Sequence, residues 1–98
     1  MSSIENLSEL LKNYFISKPI SKAWIFGSYA RNEQSPDSDL DILVDFEENC
    51  HLSLFSLADI IIDLEKLSGL KIDLVDNGRL LPGIATAINK DKILIYER

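Results

Sequence analysis

Apolar positions recur along this chain with two periods. Ile4, Leu7, Leu10, Leu11 and Tyr14 fall three and four residues apart, the spacing of one helix face, and Ser2-Ser3-Ile4-Glu5 reads as a capping box at its start. This helix ends before Pro19. Ile20 to Phe26 is a β-prone run, and a second strand is expected over about residues 39–46. Between them, Asn32 to Ser38 is polar and contains Pro36, as expected for a loop at the mobile edge of a binding site. Leu54, Leu57, Ala58, Ile61 and Leu64 mark a long helix, with Phe55 and Ile62 widening its apolar side and Gly69 stopping it. Core packing against the sheet accounts for that wide stripe, with a partner on its second side as the alternative. A third strand at about 70–76, a turn at Asn77-Gly78, a short helix from Leu81 to Asn89 with Pro82 in its first turn, and a last strand from Lys92 to Tyr96 complete the reading. The order gives an α/β fold, a small mixed β-sheet with helices packed mainly on one face.

Two segments of this frame carry candidate chemistry. In Asp39-Leu40-Asp41 the acids stand two apart on a strand, so both project from the face opposite Leu40 and Ile42. At roughly 6.6 Å of backbone separation, their repulsion is about 2–3 kcal/mol at an effective dielectric near 20. A divalent cation is the simplest compensation, and magnesium needs only one or two protein carboxylates besides phosphates and waters. Upstream, with ten residues between, Gly27-Ser28 ends the first strand and turns the chain into a short helical stretch at Tyr29-Ala30-Arg31. Glycine lets backbone approach a ligand, amides at a helix start attract anions, and Ser28 adds a hydroxyl donor. Asp73, between Ile72 and Leu74, is a third acid alone on its face of a strand; its plainer reading is an exposed strand residue.

Size and charge narrow the function. Ninety-eight residues are expected to form a single domain, 1–98, too small for a catalytic domain plus a separate acceptor-binding domain. A net charge of −6 with scattered Lys and Arg argues against direct nucleic-acid binding, and so against a polymerase or tRNA-modifying role. One cysteine, Cys50, excludes an internal disulfide and fits a reducing cytoplasm; Cys50-His51 lacks the further ligands of a zinc site. Neither a signal peptide nor a membrane-crossing stretch is visible. Trp24 and Phe26 read as core residues, Asp37 and Asp45 as solvated or salt-bridged, and Asp76 as the cap of the Asn77-Gly78 turn. Tyr29 packs beside the turn or stacks on a base.

Phe26-Gly27-Ser28, then Asp39-Leu40-Asp41 after ten residues, then Ile72-Asp73-Leu74 resemble the DNA polymerase β-like nucleotidyltransferase superfamily, and within it the minimal nucleotidyltransferases. The resemblance runs from Ile20 to the last strand. It departs at Asn32, where relatives usually carry glycine; Asn tolerates positive φ, so the turn is expected to survive. The resemblance implies a nucleotidyltransferase fold in which Gly27 and Ser28 hold a triphosphate. It further implies that Asp39 and Asp41 bind two Mg²⁺ ions, with Asp73 completing the metal site and orienting or deprotonating the attacking hydroxyl. Arg31 either neutralises phosphate or forms a structural salt bridge. ATP is the implied donor, and a tyrosine of a HEPN-domain toxin the implied acceptor, in a toxin–antitoxin system. The alternative is a catalytically silent antitoxin or binding module that occludes its partner; modification of a small molecule, as in antibiotic-modifying relatives, requires a helical domain for which the chain has no room.

Overall fold

The computed structural model describes residues 3–48, 50 and 52–98, the side chains of residues 3 and 4 excepted. Ser2 of the capping box and His51 lie outside the described residues. Along the chain run α1 (Ser3–Phe15), β1 (Ile20–Phe26), α2 (Gly27–Ala30), β2 (Leu40–Phe46), α3 (Leu54–Ser68), β3 (Ile72–Asp76), a 3₁₀ turn (Asn77–Arg79), α4 (Pro82–Asp91) and β4 (Ile93–Glu97). Strand order in the sheet is β3-β2-β1-β4. β1 runs antiparallel to both β2 and β4, whereas β2 and β3 are parallel. A parallel pair needs a long crossover, and α3 supplies it.

Strand alternation divides the apolar residues between two faces. Ala23 and Ile25 of β1, Leu40, Ile42 and Val44 of β2, and Ile72 of β3 join Leu11 and Phe15 of α1, Tyr29 of α2, and Ile60 and Leu64 of α3 in the main core. On the other face, Trp24 and Leu43 meet Ile88 of α4, flanked by half-buried Phe26, Val75 and Leu80. Among the described residues, three helices therefore cover one face and α4 alone crosses the other. This thin cover leaves room on the second face for polar side chains.

Caps and ties fix the helices. The Ser53 hydroxyl accepts the Ser56 amide at 3.1 Å at the start of α3, and Gly69, left-handed at φ 72°, closes its end with a 2.9 Å bond to the Glu65 carbonyl. The Tyr14 hydroxyl donates to Asp63 at 2.8 Å, joining α1 to α3. Arg98 donates to the Ile16 and Lys18 carbonyls beyond α1 at 2.8 and 2.9 Å.

The stripe of α3 differs from its sequence reading. Ile60 and Leu64 are the buried positions, with Leu57 and Ile61 half-buried beside them, whereas Leu54 and Phe55 are 83% and 84% exposed and Ala58 is exposed. Leu54 continues the inward stripe one turn earlier, beyond the surface the helix packs on. Among the described residues, no helix is long and apolar enough to cross a membrane.

Candidate active site

Register brings the acids together. Phe26 pairs with Asp41 across β1–β2, and Asp41 pairs with Asp73 across β2–β3. Leu40, Ile42 and Ile72 point into the main core, so Asp41 and Asp73 stand on the thinly covered face. Asp39 lies just before β2 rather than inside it, exposed at the sheet's end. It borders a cavity of about 330 Å³ with Pro36, Asp37, Ser38, Gly69, Leu70 and Lys71.

Gly27 closes the site on the β1 side. Its φ is 72°, and a Cβ there would fall 2.1 Å from Asp41 Oδ2. Position 27 therefore excludes a side chain both by conformation and by space. The half-exposed Ser28 follows in the first turn of α2, and the Glu33 amide bonds its carbonyl at 2.8 Å. Asn32 takes φ 57°, the conformation expected of the residue that replaces glycine.

Asp41 is pushed up to about 6, first by burial, then by the charges of Asp73 and Asp39 and by a side-chain hydrogen bond with Asp73, with Arg31 pulling the other way. Among the described residues no three His, Cys, Asp or Glu side chains are already gathered tightly enough to hold a metal, although the charges of both Asp73 and Asp39 act on Asp41. The donor set nonetheless fits a hard divalent cation, being all carboxylate oxygen and carrying excess negative charge that disfavours ionisation of Asp41. Asp39, Asp41 and Asp73 are the residues that could hold Mg²⁺.

Arg31 is engaged in two ion pairs. It donates to Asp91 of α4 at 3.1 Å and to Glu33 at 3.3 Å, tying α2 to α4, and both acids hold the guanidinium in its charged form. Asp91 lies 60 residues away, and nothing in the sequence marks it as this partner. A smaller cavity of about 250 Å³ lies between Gly27 and α4, lined by Phe26, Arg31, Ala87, Ile88 and Asp91. The other acids have local tasks: Asp45 accepts from the Asn77 amide group at 2.9 Å, and Asp76 accepts the Gly78 amide at 2.9 Å. Tyr29 is buried in the main core and so packs rather than stacks. Cys50 is a free, half-exposed thiol.

Residues 5–98 match the family Polymerase beta, Nucleotidyltransferase. The chain belongs to this family. As a polymerase β-type nucleotidyltransferase it has curated relatives in archaea. A Methanocaldococcus jannaschii protein named as a candidate protein adenylyltransferase is 39% identical over 88 residues, which span 89% of this chain and 85% of the relative. The protein adenylyltransferase MntA of Thermococcus cleftensis is 44% identical over 71 residues, 72% of this chain and 70% of the relative. The nucleotidyltransferase fold also recurs in solved structures. A toxin–antitoxin structure with AMP-PNP superposes with a TM-score of 0.79 at 17% identity, covering 93% of this chain and 73% of that one. A tri-AMPylated Shewanella oneidensis HEPN toxin in complex with an MNT antitoxin gives 0.64 at 18% identity, with coverage of 93% and 73%.

Proposed function

We propose that this nucleotidyltransferase transfers AMP from ATP to a tyrosine hydroxyl of a HEPN-domain partner, with Mg²⁺ held by Asp39, Asp41 and Asp73. The observation that carries the reading is the Asp41–Asp73 pair beside Gly27, in which burial and mutual repulsion push Asp41 up to about 6. Such unneutralised negative charge on a sheet face suits a cation, which in turn can bridge to the phosphates of a nucleotide. The names of the relatives support adenylyl transfer, and the toxin–antitoxin neighbours support the partner class. A net charge of −6 supports a protein rather than a nucleic-acid acceptor.

In this reading the Gly27 backbone and the Ser28 hydroxyl hold the outer phosphates. Asp73 orients the tyrosine hydroxyl and accepts its proton. The tyrosine oxygen bonds the α-phosphorus as the bond from that phosphorus to the bridging oxygen breaks, and pyrophosphate leaves with the electron pair. Bound Mg²⁺ would neutralise the carboxylates and offset charge on the entering and departing oxygens. Arg31, engaged by Glu33 and Asp91, contributes by holding α2 against α4.

The test is incubation of the purified protein with ATP, Mg²⁺ and the product of its neighbouring gene, which this reading expects to be a HEPN-domain protein. The partner should gain the mass of one or more AMP groups on tyrosine, and Asp41→Asn and Asp73→Asn should abolish the gain. No transfer from any nucleoside triphosphate would refute the reading. Retained neutralisation of the partner by both variants, without transfer, would instead make the chain an occluding antitoxin.

A further inference from the structure

Nearly every cation around the open face is already engaged. Arg31 is held by Glu33 and Asp91, Lys22 pairs with Glu97 at 3.2 Å, Arg79 lies 3.7 Å from Asp76, and Arg98 pairs with Glu47. Lys92 lies over the Trp24 ring at 4.7 Å, and Lys18 over Tyr14 at 5.1 Å. Lys12 and Lys66 belong to α1 and α3, which cover the other face. Lys90 stands two residues from the inward-facing Ile88 and so on the outer side of α4. Lys71 remains, exposed and with no carboxylate partner among the described residues.

Its place in the sheet is beside the acids. Ile72 is buried in the main core, so Lys71 and Asp73, on either side of it, leave the chain on the opposite face. Leu40 pairs with Ile72, and the Leu40 amide donates to the Lys71 carbonyl at 2.8 Å. Lys71 therefore lies abreast of Asp39 as Asp73 lies abreast of Asp41, and Lys71 and Asp39 line the same 330 Å³ cavity.

We infer that Lys71 binds the α-phosphate of the nucleotide, holding it against the face that carries Asp73. The inference rests on the function proposed above, in which Gly27 and Ser28 at the end of β1 take the outer phosphates. A triphosphate running from there across the carboxylates of β2 arrives at β3 with its α-phosphate, where Lys71, among the described residues, stands without an ion-pair partner. An ammonium is a point charge with three donors, suited to a phosphate oxygen. A lysine on an edge strand can also serve only to repel a further strand, a role indifferent to phosphate.

Nuclear magnetic resonance titrations of the wild type, Lys71→Met and Lys71→Arg with ATP, AMP and adenosine, in Mg²⁺, separate the two roles. Lys71→Met should weaken ATP and AMP about tenfold each, as loss of a charged hydrogen bond does, and leave adenosine unchanged. Lys71→Arg should recover most of the loss. Thermal unfolding of both variants should match the wild type, because the position is exposed. If Lys71→Met binds ATP as the wild type does, or loses adenosine in parallel, the inference falls while the proposed function stands. A wild type that binds no ATP would sink both.

Discussion

At the scale of single residues, Gly27 and Asp41 are one device. The backbone of Gly27 occupies the left-handed region, and a Cβ added there would run into Asp41 Oδ2. Gly27→Ala should therefore cost about 1–3 kcal/mol of stability and lower the proposed AMP transfer about a hundredfold, because the displaced carboxylate is one of the proposed metal ligands. Chemical denaturation and the transfer assay check the two parts separately. Asp41 also sets a pH dependence. Its folded pKa, about 6, lies above the ordinary carboxylate value, so the folded protein binds more protons than the unfolded chain in that interval. The cost of keeping Asp41 ionised is absent below the unfolded value near 4 and fully present above about 6. Stability of the metal-free protein should thus fall as pH rises through that window. Asp41 remains half-exposed, and solvent screening reduces the effect to about 1 kcal/mol. Asp41→Asn should flatten the dependence in thermal unfolding between pH 4 and 7 and be the more stable protein at neutrality.

At the scale of elements, burial separates positions that look alike in sequence. Leu64 and Phe55 are both apolar residues of α3, but nine positions set them on opposite sides of the helix, so Leu64 is fully buried and Phe55 almost fully exposed. Leu64→Ala should cost about 2–5 kcal/mol, whereas Phe55→Ala should stay within about 0.5 kcal/mol, as read from urea unfolding. Local chemistry made much of the fold legible: β1 falls on Ile20–Phe26, Gly69 ends α3, and Pro82 opens α4, each through a residue whose backbone preference acts alone. What was not legible depends on the neighbours an element meets. The inward stripe of α3 centres on Ile60 and Leu64 because the sheet lies beneath that turn and not beneath Leu54. The Arg31–Asp91 pair joins α2 to the end of α4, a contact set by the path of α4 over the sheet. The acids stood out in sequence by spacing; their convergence needed the register of β2 and β3.

For the molecule as a whole, the two sheet faces divide the labour. α1, α2 and α3 bury the main core, and the acids occupy the face that α4 only partly covers. A ligand that binds the folded state alone stabilises it by mass action. If the acids hold Mg²⁺ as proposed, Mg²⁺ added at pH 7 should raise the unfolding temperature of the wild type, a chelator should reverse the rise, and Asp41→Asn should show little of either. Differential scanning fluorimetry across a magnesium series reads this directly.

The crossover from β2 to β3 means that Asp41 and Asp73 are abreast in space yet separated in the chain by all of α3. Cleavage in the connection between β2 and α3 would leave Gly27, Asp39 and Asp41 on one piece and Asp73 on the other. The pieces interlock, since β2 seeks β3 and β1 seeks β4 across the cut. Activity regained on mixing two inert fragments would then report the docking of one sheet half onto the other, turning the enzyme into a sensor of its own assembly.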